Sequence, residues 1–119
     1  MPREIDDPNN FSHEVETQLD KIEDELEEEE AKDIIRWATE ELREGNLSAS
    51  TLSKAYLPKL RKISRFVDTS LRSGNQISLM NSIARLSNNS NWSDGTQRNY
   101  EKGLKRYRGY YDEAVDEIS

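Results

Sequence analysis

Basic side chains recur at helical spacing in two stretches of the sequence, and this pattern is typical of a surface that binds phosphate groups. The first row has four members, separated by seven, four and seven positions: Lys54, Arg61, Arg65 and Arg72. At roughly 100° per residue, this spacing predicts that all four lie within roughly 20° of one line on a helix. The second row also has four members: Arg98, Lys102, Lys105 and Arg106. Each row therefore needs a helix that presents it to solvent.

Apolar residues on the opposite side of both stretches predict these helices. In residues 47–71 they recur at spacings of four, four, three and four: Leu52, Tyr56, Leu60, Ile63 and Val67. In the last helix, from about 95 to 117, the apolar face is formed by Tyr100, Leu104, Tyr107, Tyr111 and Ile118. Short hydroxyl side chains precede each helix and predict its N-cap: Ser48, Ser50 or Thr51 for the first, Ser93 for the second.

The two capped helices share a pattern of letters. Ser, Thr, Tyr and Leu follow one another at positions 48, 51, 56 and 60, and again at 93, 96, 100 and 104. The first copy has one extra residue between threonine and tyrosine. It also contains Pro58, which lacks an amide proton and predicts a kink or a helix that begins nearer that residue.

The rest of the sequence predicts an all-α fold, a compact bundle of four to five helices with an acidic helix at its N-terminus. We expect a flexible arm over residues 1–10, an acidic amphipathic helix over 11–30 and a helical DNA-binding domain over 31–119. Whether 11–44 is one helix or two stays open. Trp37 is expected in the core, and the polar run 87–91 is expected to be a flexible loop.

Charge is divided unevenly along the chain. Residues 1–50 carry 17 acidic and 5 basic side chains, whereas residues 51–110 carry 3 acidic and 12 basic ones. The formal net charge of −7 would argue against a polyanionic partner, but the basic second half reverses that inference. The basic faces then fit double-stranded DNA, with lysine and arginine on phosphates and short polar side chains at base edges.

Other classes of function find little support. The chain has no cysteine and one histidine, His13, which has no nucleophilic partner nearby in the pattern. We therefore expect no cofactor, no metal and no catalysis by this chain. No apolar run is long enough to cross a bilayer, and the expected location is the cytoplasm.

The acidic helix leaves two interpretations open. Its apolar stripe recurs at spacings of four, four, three and four: Phe11, Val15, Leu19, Ile22 and Leu26. It would cover the domain or pair with another chain, or its carboxylates would compete with DNA for the basic faces.

The order and spacing of these patterns resemble the N-terminal core-binding (SAM-like) domain of tyrosine recombinases, the phage integrase family. The resemblance extends over about residues 31–115, from Ile34-Ile35-Arg36-Trp37 through both capped helices to Tyr110-Tyr111. In that family the domain is a small helical bundle that forms half of a clamp around the recombination site. The extra residue before Tyr56, Pro58 and the acidic helix depart from the family pattern.

By position, the resemblance implies DNA contacts from both helices, and other recombinase protomers as further partners on DNA, with a monomer in isolation. The implied contact residues are Thr51, Ser53, Lys54, Arg61, Lys62, Arg65, Thr96, Arg98, Asn99, Lys102, Lys105 and Arg106. The family's catalytic arginines, His-x-x-Arg pair and nucleophilic tyrosine do not appear in this sequence. We therefore expect a fragment of an integrase. The surplus of acid and the preference for arginine over lysine suggest a haloarchaeal source.

Two alternatives stay open. One is a stand-alone accessory DNA-binding protein of a virus or plasmid. The other is a helical protein–protein interaction module, in which the stripe on the acidic helix pairs with a partner and the basic faces are only solvated.

Overall fold

The computed structural model describes residues 13–118, and it describes the side chains of residues 13–112. Helices make up the regular structure of these residues. The segments in chain order are α1 His13–Glu25, α2 Glu28–Arg43, α3 Ala49–Thr51, a π-helical turn Leu52–Tyr56, α4 Leu57–Phe66, α5 Gln76–Ser90 and α6 Asp94–Ile118. The segments between 49 and 66 follow one another without a break and count as one stretch. Residues 13–118 therefore form five helical stretches. No strand occurs within 13–118, so the all-α prediction is confirmed there. The predicted arm 1–10 lies outside the described residues.

The chain divides into two compact units, Met1–Pro58 and Lys59–Ser119. The observed division separates charge sharply, since the first unit carries 17 acidic and 6 basic residues and the second 7 acidic and 11 basic.

In the first unit, α1 packs against α2 and against the helical stretch that begins at Ala49. Three residues of the predicted stripe, Val15, Leu19 and Ile22, are fully buried, whereas Phe11 lies outside the described residues. A break at 26–27 divides the acidic region into two helices. The carboxylates that follow the break, residues 28–30, lie in the first turn of α2, where the helix dipole favours negative charge. Trp37 is fully buried, which confirms its predicted core position.

The π-helical turn accommodates the extra residue of the first repeat. A π turn holds one residue more than an α turn, and the amide of Leu57 donates to the carbonyl of Leu52, five positions back. Tyr56 therefore lies five positions after Thr51, whereas Tyr100 lies four positions after Thr96. The wide turn ends just before Pro58, which has no amide to offer an α-helical ladder.

The predicted helix over 47–71 is too long at its C-terminal end. It stops at Phe66, and residues 67–75 form turns. Arg72 therefore lies beyond the helix, and Lys54 lies in the π turn, where 100° per residue does not apply. The prediction of four cations on one line is wrong, because the backbone is not one regular α-helix.

In the second unit, α5 and α6 pack against each other. Leu79 and Ile83 of α5 and Leu104 and Tyr107 of α6 are fully buried. The predicted loop over 87–91 is mostly helical: α5 continues to Ser90 and ends at Asn91, which takes the left-handed conformation with φ 57°. Its neighbour Trp92 donates its amide to the carbonyl of Ser87, which closes the helix end.

Candidate nucleic-acid interface

Both predicted serine caps are formed. Ser48 Oγ accepts the amide of Thr51 at 3.1 Å, and Ser93 Oγ accepts the amide of Thr96 at 3.2 Å. The hydroxyls of each pair are also in contact, at 2.9 Å and 3.1 Å respectively. The two threonines were predicted to contact DNA, and the structure shows them half-buried with their hydroxyls bonded to the capping serines.

Another predicted contact residue is buried. Ser53 is 4 % exposed, and its hydroxyl donates to the carbonyl of Ser50 at 3.2 Å. Because Ser53 lies in the π turn, its side chain points toward the protein instead of solvent. Lys54, the next residue, is exposed in the first unit.

The cations of α4 lie on the exposed side of their helix. Lys62 and Arg65 are exposed and Arg61 is half-buried, whereas Leu60 and Ile63 are buried. At 100° per residue, the three cations occupy an arc of roughly 100° that lies away from the buried residues. This arrangement leaves Lys62 and Arg65 at the surface of the second unit.

The predicted contact residues of α6 form a more regular surface. Arg98, Asn99, Lys102, Lys105 and Arg106 are all exposed and fall within an arc of roughly 120°. We call these five residues the α6 basic face. Gly95 and Gly109 lie on the same arc, and no carboxylate of residues 95–112 does. The buried residues of the helix, Leu104, Tyr107 and Tyr111, lie on the other side. A phosphate approaching the α6 basic face therefore meets cations and small residues.

An aromatic cluster beside the start of α6 was not predicted. The rings of Trp92 and Tyr100 stack with centroids 4.0 Å apart and planes at 26°, and the Lys59 ammonium lies 5.4 Å from the centre of the Tyr100 ring. Burial lowers the pKa of Lys59 below 10.5 and raises the pKa of Tyr100 above 10.0. The sequence signal was a tryptophan directly before the capping serine and eight positions before the tyrosine.

In the first unit, too, a tryptophan contacts the tyrosine of the Ser, Thr, Tyr, Leu pattern. The rings of Trp37 and Tyr56 meet edge to face, with centroids 5.9 Å apart. Both tyrosines, Tyr56 and Tyr100, were predicted in the core and are half-buried instead.

Within 13–112, no group of three or more histidine, aspartate or glutamate side chains is placed to hold a metal ion. A shallow cleft of about 270 Å³ in the first unit is lined by residues of α1 and by Ser53 and Lys54. Its histidine, His13, is exposed, and the hydroxyl of Ser53 in the same lining donates to the carbonyl of Ser50. In the part of the chain that is described, no helix has the length and apolar character to cross a membrane.

Comparisons with protein-family models, with curated proteins and with solved structures give no match in any of the three. The resemblance to the recombinase core-binding domain therefore rests on the sequence pattern.

Proposed function

We propose that this chain binds double-stranded DNA through the second unit, with the α6 basic face as the principal contact and the cations of α4 as a further one. The observation that carries the proposal is the α6 basic face itself: four exposed cations and an asparagine on an arc that carries no carboxylate between residues 95 and 112. In a chain with 24 acidic residues, such a face concentrates positive charge where a phosphate backbone can reach it.

Duplex DNA fits this surface better than duplex RNA. An exposed α-helix enters the major groove of B-form DNA, whereas the major groove of A-form RNA is too narrow and deep for side chains to read. Arg98 and Asn99 lie near the start of α6, where their contacts with the duplex backbone are compatible with phosphate contacts from Lys102 and Lys105. Lys102 and Lys105 would then hold α6 on the phosphate backbone, and Arg98 and Asn99 in its first turns would orient it.

We further propose that the chain serves as the DNA-binding module of a site-specific tyrosine recombinase and contributes affinity without bond chemistry. The support is the order of the two serine-capped helices, each followed by a tyrosine and a buried leucine at Leu60 and Leu104. Finding a reading frame downstream that encodes His-x-x-Arg and a nucleophilic tyrosine tests this narrower proposal. An independent gene that ends at Ser119 would favour an accessory DNA-binding protein.

The interaction-module alternative loses its main support. The stripe that would pair with a partner helix is covered within the chain, since Val15, Leu19 and Ile22 are each 0 % exposed. Leu26, the last residue of the stripe, is half-buried.

Charge reversal on α6 tests the binding proposal. The variant Arg98→Glu with Lys102→Glu changes the charge of the α6 basic face by four, and the matched control Lys21→Glu with Arg36→Glu makes the same change on exposed residues of the first unit. Fluorescence anisotropy with labelled duplex DNA should show at least about tenfold weaker binding for the α6 variant. The control should stay within about twofold of the native chain. Equal losses in both variants would mean that net charge, and not the α6 basic face, governs binding.

A further inference from the structure

A segment of the second unit is free of acidic residues. Between Asp68 and Asp94 the sequence has no aspartate or glutamate over 25 positions, although one residue in five of the whole chain is acidic. The same span has two basic residues, Arg72 and Arg85. Helix α5 lies within it, so its surface offers nothing that would repel a phosphate backbone.

The outward side of α5 carries a straight line of side chains that the core does not use. Ile77, Asn81, Arg85 and Asn88 follow one another at spacings of four, four and three and are all exposed, Ile77 to 72 %. The buried residues of the helix, among them Leu79, Ile83 and Leu86, lie on the other side. We call the four exposed residues the α5 line. It holds one charge, two amides and one branched apolar group.

Helix α5 presents this line from a fixed backbone. At its start, Asn75 Oδ1 accepts the amide of Ser78 at 3.0 Å. At its end, Asn91 closes the helix in the left-handed conformation. One nitrogen of Arg85 donates to the hydroxyl of Ser82 at 3.1 Å, which restrains the guanidinium on the helix surface. Capped ends and a restrained arginine lower the conformational entropy that binding must remove.

The chemistry of the α5 line matches base edges in the major groove more closely than it matches phosphates. Asparagine pairs with adenine through two hydrogen bonds, arginine pairs with guanine in the same way, and an apolar side chain contacts the thymine methyl group. A phosphate-binding helix would use several cations, as α6 does, whereas α5 has one. From residue 77 to residue 88 the line rises by 11 steps of 1.5 Å, which is about 16 Å. This length corresponds to about five base pairs of duplex DNA.

We propose that α5 is a base-reading helix, and that its line Ile77, Asn81, Arg85 and Asn88 gives this chain a sequence preference that the cations of α4 and α6 do not supply. The inference rests on the proposed DNA-binding function and deepens it. Affinity then comes mainly from α4 and α6, and discrimination between DNA sequences comes from α5.

Selection from a random duplex pool by the native chain tests the inference. The affinity ratio between the selected site and a scrambled duplex is then measured for the native chain, for Asn81→Ala with Arg85→Ala, and for Lys102→Ala. We expect the α5 variant to lower this ratio at least about fivefold, with its affinity for scrambled DNA changed by less than about threefold. The phosphate-contact variant Lys102→Ala should lower both affinities together and leave the ratio unchanged. Circular dichroism confirms that each variant is folded.

Three results would overturn the inference. If the native chain binds DNA but no preferred site is selected, the α5 line reads no sequence, although the proposed function stands. If a site is selected and the α5 variant keeps the native ratio, another helix reads it. If the ratio is kept and Ile77→Asp converts a self-associating native chain to a monomer in sedimentation, the line is a protein contact. Failure of the native chain to bind any duplex removes the proposed function as well, which distinguishes that outcome from the other three.

Discussion

Arg108 Nη1 donates a hydrogen bond of 2.7 Å to the carbonyl oxygen of Leu71, a residue 37 positions earlier in the chain. Leu71 is fully buried although it lies in the turns that follow α4. Beside it, the Arg72 guanidinium lies 4.5 Å from the centre of the Tyr111 ring. Two arginines thus tie the non-helical segment 67–75 to α6, and they hold in place the helix that carries the α6 basic face.

Replacing Arg108 should lower stability. Arg108→Met removes the charged donor and leaves the Leu71 carbonyl without this bond, at a cost of about 1 to 3 kcal/mol in the free energy of unfolding. Urea denaturation measures the change. Lys105→Met, an exposed cation of the same helix, is the matched control and should stay within about 0.5 kcal/mol of the native chain. Equal effects of the two substitutions would show that the Arg108 bond is not a stabilising contact.

Removing a serine cap should also destabilise the fold. Ser93→Ala deletes the acceptor for the Thr96 amide and should cost about 1 kcal/mol. The control is Ser90→Ala, at an exposed position in the last turn of α5, which should change stability by less than about 0.5 kcal/mol. Thermal unfolding followed by circular dichroism compares the two. A cap variant as stable as its control would exclude the hydrogen bond as the determinant of where α6 begins.

Two glycines should respond oppositely to alanine. A Cβ added to Gly109, inside α6, meets no atom within 4 Å, so Gly109→Ala should gain up to about 1 kcal/mol from helix propensity. A Cβ on Gly74 would lie 2.7 Å from the Ser70 carbonyl oxygen, so Gly74→Ala should be destabilising. Urea denaturation of both variants gives the signs, and a loss of stability in Gly109→Ala would contradict the open surroundings of that position.

The lowered pKa of Lys59 should make stability depend on alkaline pH. The unfolded chain keeps its Lys59 proton up to about the ordinary value of 10.5, whereas the folded chain releases it at lower pH. Between the lowered pKa of Lys59 in the folded chain and the ordinary value of 10.5, the unfolded state binds more protons than the folded state. The contribution of Lys59 to the free energy of folding therefore becomes more favourable as pH rises through this range. The raised pKa of Tyr100 acts in the opposite direction, but only above about 10.0.

Lys59→Met isolates this contribution. The difference in unfolding free energy between the native chain and Lys59→Met should shift in favour of the native chain as pH rises from neutral to 10.5, the ordinary pKa of lysine. Lys62→Met removes one exposed charge from the same helix and corrects for general charge effects. A difference that stays constant with pH would contradict the assigned burial of the Lys59 amine.

Local signals in the sequence predicted much of the fold. Ser48 was one of three cap candidates for the first helix and Ser93 was the candidate for the second, and the structure shows both as caps. Trp37 was predicted in the core from helical periodicity alone, and it is fully buried. The exposed positions of Arg98 and Lys102 follow from the same periodicity.

Features that depend on distant residues or on unusual backbone were not predicted. The bond from Arg108 to Leu71 requires the path of the turns 67–75, which no periodicity encodes. The π turn was marked only by one extra residue and Pro58, and without it Ser53 was placed among the DNA contacts although it is buried. The polar run after Ile83 was expected to be a loop, because serine and asparagine disfavour helix interiors, but the cap at Asn91 allows the helix to continue.

The dependence of DNA affinity on salt concentration tests the central proposal most directly. If the cations of α4 and α6 neutralise phosphates, log affinity of the native chain for duplex DNA should fall linearly with log salt, with a slope of about −4 to −6 at about −0.9 per phosphate. Anisotropy titrations over a series of salt concentrations measure that slope. A native chain that binds no duplex at low salt, or that binds with a slope near zero, would contradict a phosphate-binding surface on the second unit.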